Sequence, residues 1–192
     1  MAAPPLLFYD LGSPYAYLAV ARAERVLGTP PELRPVLLGA IFAVRGHGSW
    51  SATPRREAGM AEVERRAAAS GLPPLRWPAD WPPNTLAAMR AAVWADREGH
   101  GAPFARAAFR RAFAEGADLA DPRVLADIAT AVGLDGTALA GAIAARNVKD
   151  DLRARTEAAL DLGVRGVPTL AIGDRLLYGD DRLDDASGLR RL

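Results

Sequence analysis

"FYDLGSPYAYL", residues 8–18, sets the start of the fold. The apolar, aromatic run from Leu6 to Leu11 reads as a short buried strand. Ser13-Pro14 reads as a helix start, because serine is a favoured N-cap and proline is favoured at the first helical position. Ala16, Ala19, Val20, Ala23, Val26 and Leu27 then share one helical stripe, with Arg22, Glu24 and Arg25 off it. Gly28 ends this helix, and Glu32 to Leu38 reads as a second strand. Strand, helix and strand on short links make a βαβ unit with parallel strands.

From about Gly39 to Leu162 the periodicity is helical. Leu86, Met89 and Val93 follow Asn84, which reads as an N-cap, and Phe104, Phe109 and Phe113 belong to a helix begun near Pro103. Asp121-Pro122 starts another, carrying Leu125, Ile128, Ala129 and Val132 and closed by Gly133. Asp135 and Asn147 read as further caps. Gly71 to Pro83 reads as an irregular loop with Trp77 and Trp81 as packing residues. Strands return at Thr169 to Ile172 and Arg175 to Tyr178, joined by Gly173-Asp174 as a type II′ turn. Asp180 to Leu192 reads as a terminal helix. The expected class is α/β, βαβ…ββα, with residues 1–38 and 163–192 forming one domain and 39–162 an all-helical insertion.

The 192 residues carry 24 basic and 23 acidic side chains, a net charge of +1 that gives no electrostatic case for nucleic acid or an anionic membrane. The arginine pairs 55–56, 65–66 and 110–111 read as solvated helix faces. The absence of cysteine excludes disulfides, a protein thiolate and sulfur-ligated metal. His47 and His100 lie too far apart in sequence to suggest a metal site, so no metal is expected. Without a leader-like segment or a long uncharged apolar run, a cytoplasmic location is the expectation.

Three features can meet in space. Ser13 sits at a helix N-terminus, where free N–H groups and the helix dipole favour an anion. That position suits a reactive thiol, whose pKa it would lower, yet Ser13 also serves as a plain cap. Pro168 in "RGVPT", residues 165–169, is either an ordinary strand-start proline or a cis proline. A cis bond would turn the Val167 backbone outward to pair with a peptide-like ligand. "YGDDRL", residues 178–183, places Asp180 and Asp181 either as acidic caps or as holders of an amino-acid-like ligand end.

In order and spacing, "FYDLGSPYAYL", "RPVLLGAIF" (34–42), "NTLAAMRA" (84–91), "VKDDLRARTEAA" (148–159), "GVPT" (166–169) and "GDDRL" (179–183) resemble the 2-hydroxychromene-2-carboxylate isomerase family. They also resemble its relatives, the kappa-class glutathione transferases and the wider DsbA-like thioredoxin superfamily. The resemblance implies a thioredoxin-like fold with an inserted helical domain. Related disulfide oxidoreductases carry Cys-x-x-Cys where Ser13-Pro14-Tyr15-Ala16 stands, so dithiol chemistry is excluded at this site.

By resemblance, glutathione or another low-molecular-weight thiol is the cofactor, and Ser13 hydrogen-bonds its sulfur to favour the thiolate. Tyr15, His47, Arg56, Val167, Pro168, Asp180 and Asp181 fall at cofactor-binding positions, and Asn84 falls on the substrate side. Val167 would pair with the glutathione backbone, and Asp180 and Asp181 would hold its γ-glutamyl end. The chain departs from the family pattern at His47, Gly59 and Asp180, where an asparagine, an aromatic residue and a neutral side chain are usual. The implied reaction is cis–trans isomerisation in the breakdown of naphthalene-like aromatics, with a small aromatic substrate and, as in relatives, a homodimer. The enzyme must lower the thiol pKa, hold a pyruvate-like carboxylate and stabilise an enolate. Two alternatives are a kappa-like transferase conjugating glutathione to electrophiles and a non-catalytic thiol- or peptide-binding module.

Overall fold

The structure is a computed structural model that describes residues 4–46 and 48–186. It is built on a four-stranded mixed sheet. Strands β1 (Leu6–Tyr9), β2 (Glu32–Pro35), β3 (Thr169–Ile172) and β4 (Arg175–Tyr178) lie in the order β2-β1-β3-β4. β1 and β2 run parallel, with Leu7 opposite Leu33. β3 runs antiparallel to β1, with Leu7 opposite Leu170, and β4 runs antiparallel to β3. Gly173 has a φ of +54°, and no described non-glycine residue has positive φ, so Asp174 does not either. That combination fits the type II′ turn.

Helix α1 (Pro14–Leu27) crosses from β1 to β2. Ser13 caps its start in extended backbone, accepting from the Ala16 N–H, and Gly28 ends it with φ +67°. Between β2 and β3 come α2 (Leu38–Arg45), α3 (Arg56–Ala69), α4 (Leu86–Arg97), α5 (Gly101–Phe109), α6 (Pro122–Ala131), α7 (Leu139–Ala144) and α8 (Arg146–Asp161). Helix α5 runs on through a π-helical turn, Arg110–Ala114. No helix of the described residues is long and apolar enough to cross a membrane.

The main apolar core joins sheet and helices. Tyr9 of β1 meets Phe109 of α5 with ring centroids 5.8 Å apart, and Tyr17 of α1 stacks on Phe113 at 5.6 Å. All four rings are buried, and aromatic pairs at this spacing add to the area they remove from water.

Some boundaries differ from the sequence reading. β2 stops at Pro35, and Leu38 opens α2 because its N–H donates to the Asp10 carboxylate. Asp121 and Asp135 cap as expected, but Asn147 lies inside α8, whose cap is Ala145. The α4 cap is Thr85, while Asn84 Oδ1 accepts the Leu86 N–H from one position earlier. The expected terminal helix shows a 3-10 turn, Asp181–Leu183, and its end lies outside the described residues.

Candidate active site

The β1–α1 junction is held by its own backbone. The Ser13 N–H donates to the Asp10 carbonyl at 3.0 Å, and the Tyr17 N–H donates to the Ser13 carbonyl at 3.1 Å. Pro14 has no N–H, and Ser13 Oγ takes the Ala16 N–H at 3.2 Å. Among the described residues, the Tyr15 N–H has no acceptor in this first turn. The Ser13 hydroxyl faces the Val167 carbonyl at 3.5 Å, too long for a strong O–H···O bond. Its proton is therefore free to turn to a better acceptor. Ser13 is buried, so that acceptor would sit largely out of water.

The Val167–Pro168 bond is cis. The Val167 N–H has no partner among the described residues, and Thr169 begins the pairing with Phe8. A free N–H and a weakly engaged carbonyl at a strand entrance form a short edge for an extended ligand.

Two cavities adjoin this edge, sharing Tyr15, Val167 and Tyr178 in their walls. The larger, about 460 Å³, takes in Ser13 and is largely apolar, with Leu38, Phe42, Trp50, Trp81 and Pro82 around it. Its volume is in the range of small-molecule sites. Its aromatic wall is a chain of contacts: Tyr15 meets Trp50 edge-on at 6.0 Å, Trp50 meets Trp81 at 5.2 Å and Trp81 meets Trp77 at 4.6 Å. The smaller cavity, about 300 Å³, is lined by Arg66, Gly179, Asp180 and Asp181 and carries the charge.

That charged annex is a network. Arg66 pairs with Glu62 at 2.7 Å and Asp180 at 2.8 Å, and Asp181 lies 3.9 Å away. The guanidinium also sits 5.6 Å from the Tyr15 ring centroid. The Asp180 side chain is only 3% exposed, against 62% for Asp181. Burial pushes the Asp180 carboxyl above its ordinary value, and Arg66 offsets only part of that push. Asp181 is thus the open carboxylate of the annex and Asp180 the buried one.

Beneath the larger cavity lies Asp10, 2% exposed. One of its oxygens accepts from the Gly12 N–H at 2.9 Å and the Thr85 hydroxyl at 3.0 Å, and the other from the Leu38 N–H at 2.9 Å. One carboxylate thereby ties the Ser13 loop, the start of α2 and the start of α4 together. Burial raises the Asp10 carboxyl, and the three hydrogen bonds pull it back toward ionisation.

The structure brings Ser13, Tyr15, Asn84, Val167, Pro168, Asp180 and Asp181 to one connected pair of cavities. Arg56 lines neither: its guanidinium donates to the Trp81 carbonyl at 2.6 Å and lies 5.8 Å from the Trp81 ring centroid. The annex cation is Arg66, on the same helix, which the sequence reading placed on a solvated face. His47 lies outside the described residues. Asp10, Trp50, Arg66 and Thr85 escaped the sequence reading. Gly59 alone offers a usable signal: a methyl there would collide with the Trp50 ring, so the glycine leaves room for that ring.

Comparison with known proteins gives a consistent result. The model of the DSBA-like thioredoxin domain matches residues 6–189. The chain is 30% identical to 2-hydroxychromene-2-carboxylate isomerase of Sphingobium xenophagum over 188 residues, covering 92% of each chain. It is 28% identical to human glutathione S-transferase kappa 1, over 93% of this chain and 86% of that one. A solved 2-hydroxychromene-2-carboxylate isomerase superposes with a TM-score of 0.86 at 21% identity, covering 97% of this chain and 94% of the other.

Proposed function

The chain belongs to the 2-hydroxychromene-2-carboxylate isomerase family of DsbA-like thioredoxin-fold proteins, and we propose on that premise that it is a glutathione-dependent cis–trans isomerase of a conjugated aryl enone. Its relatives include isomerases and glutathione transferases, so a glutathione-related enzyme is the broad class. The observation that carries the proposal is the Ser13 hydroxyl, buried at the start of α1 and weakly engaged, at the wall of an aromatic-lined chamber.

The residues present fit glutathione. The unpartnered Val167 N–H and its carbonyl match an extended peptide backbone. The annex holds a cation, Arg66, and an open carboxylate, Asp181, which together complement the carboxylate and ammonium of an amino-acid end. When bound, glutathione supplies a thiolate that adds reversibly to the enone double bond and so permits rotation. The chain's part is to stabilise negative charge and hold the substrate. The Ser13 hydroxyl and the free Tyr15 N–H both lie at the positive end of α1, where a sulfur anion is favoured. The aromatic wall takes the substrate's aryl group and excludes water, and Asn84 offers its amide nitrogen to a substrate oxygen. The setting that suits this chemistry is the cytosol, where glutathione is kept reduced.

The test follows the ultraviolet change on isomerisation of an aryl enone with an α-keto acid end, with and without glutathione, and weighs the product. Thiol-dependent turnover with unchanged substrate mass supports the isomerase. The similarity to the kappa transferase favours conjugation as the second reading, and a product heavier by one glutathione selects it. Absence of turnover with any thiol overturns both.

A further inference from the structure

Leu37 and Leu86 line the reactive chamber and also a separate cavity of about 380 Å³ between α2, α4 and α8. The apolar part of this second cavity is made by Ala40, Val44, Leu152 and Leu160. Its polar part is made by Arg90, Lys149 and Arg153, with Glu157 as the one carboxylate. Three cations against one anion leave a surplus of positive charge over an apolar floor.

The pairing of these cations is unusual for this surface. Neighbouring arginines on the same helices are engaged: Arg97 and Arg155 with Asp151, Arg155 with Asp96, and Arg146 with Asp150. Arg90, Lys149 and Arg153 make no ion pair among the described residues. Arg90 goes further, because its Nε is buried and has no hydrogen-bond partner. A buried guanidinium N–H without an acceptor is costly, and Arg has no acceptor of its own with which to rearrange. The Nε itself lies out of reach of any occupant, but the terminal guanidinium nitrogens are neither buried nor hydrogen-bonded among the described residues and can take an acceptor, and an occupant with an apolar body also covers the leucines.

We infer that this cavity binds an amphipathic monocarboxylate, with its aromatic or branched apolar body on Leu152, Leu160 and Val44 and its carboxylate at Arg90 and Lys149. A purely polar anion such as phosphate leaves the apolar floor wet. A neutral hydrocarbon leaves Arg90, Lys149 and Arg153 without an anion. The volume admits a bicyclic ring system. None of Ser13, Val167, Arg66 or Asp181 takes part, so the site is independent of the thiol chemistry. It still shares a wall with that chemistry. The Leu37 N–H is held by Thr156 Oγ1 at 3.0 Å within this cavity, and the next N–H, of Leu38, is held by Asp10 beneath the reactive chamber. Occupancy therefore bears on the start of α2, which both sites contact.

The probe is naphthalene-2-carboxylate, with naphthalene-2-carboxamide as its uncharged counterpart. Both are titrated into the full chain by calorimetry and by methyl NMR, without glutathione. The carboxylate is expected to shift the methyls of Val44, Leu152 and Leu160. The carboxamide is expected to bind about tenfold more weakly, one lost charged contact being worth about 1.4 kcal/mol. Lys149→Ala with Arg153→Ala, both at the rim, is expected to weaken the carboxylate by at least about tenfold while the melting temperature stays within a few degrees. Arg90→Gln, with its melting temperature checked alongside, is expected to narrow the gap between the two probes. Equal affinity for the two probes, wild-type binding by the double variant, or shifts confined to Leu38 in the reactive chamber overturns the inference. Because no thiol is present, these results are separate from success or failure of the isomerase proposal.

Discussion

Replacing Ser13 with alanine separates the structural and chemical work of one hydroxyl. Its structural work is the cap on α1, a single bond accepted from the Ala16 N–H at 3.2 Å. Losing a serine cap costs about 1 kcal/mol, which for a chain of this size lowers the melting temperature by about 2–4 °C. Its proposed chemical work is one hydrogen bond donated to a sulfur anion. The protein itself gives that proton only the Val167 carbonyl at 3.5 Å, so little has to be broken to redirect it. A hydrogen bond to a charged group is worth about 1.5–3 kcal/mol, and one pKa unit is about 1.36 kcal/mol. The pKa of glutathione's thiol when bound is therefore expected to rise by about 1–2 units in Ser13→Ala. Below that pKa each unit removes nine-tenths of the thiolate, so turnover at neutral pH falls about 10- to 100-fold. Ultraviolet titration of the thiolate in the complex measures the first quantity, and the isomerisation assay the second. The reasoning fails if the bound thiol titrates identically in both proteins, or if the loss of activity tracks only the small loss of stability.

Three further outcomes are expected. Asp10→Asn keeps the Gly12 and Thr85 donors only by turning its amide NH₂ against the Leu38 N–H, and costs about 2 kcal/mol in urea unfolding; a variant as stable as the parent removes Asp10's tying role. Asp180→Asn tests a pH dependence. The native carboxyl is raised by burial, so the folded chain holds its proton to higher pH than the unfolded chain does. Its contribution to stability is full below the ordinary carboxylate value, declines as pH rises through the native value and is flat above that. The difference between parent and variant stability must follow that curve, and a difference independent of pH refutes it. Gly59→Ala drives a methyl into the Trp50 ring, so the aromatic wall shifts and KM for an aryl substrate rises several-fold with melting little changed; unaltered KM shows that Trp50 is not part of the binding wall.

What the sequence made legible was local. Ser13-Pro14 starts a helix for reasons contained in two residues, and Gly173-Asp174 turns a hairpin for reasons contained in two more. The thioredoxin-like order of elements followed from such local signals and from the motif spacing. The site residues that escaped owe their positions to contacts across the chain. Arg66 matters because Asp180 lies 114 positions later, and no periodicity in α3 announces that pairing. Asp10 matters because three donors from three elements converge on it, two of them from residues 38 and 85. Arg56 looked like the better ligand-facing cation, yet the Trp81 carbonyl captures it. A charged side chain's partner is a tertiary property, whereas a cap or a turn is a local one.

The strand order has a consequence in time. β1 is an interior strand, yet its two neighbours arrive far apart in synthesis: β2 follows within thirty residues of it, and β3 starts only at Thr169. Until then β1 has one bare edge, and the Ser13 corner has no Val167 opposite it. A growing chain can pack its helices long before the Val167 edge of the two cavities is in place. The candidate site is thus completed by one of the last segments made, and a chain cut short before residue 167 lacks the wall that Val167 gives both cavities, however well its helical part has folded.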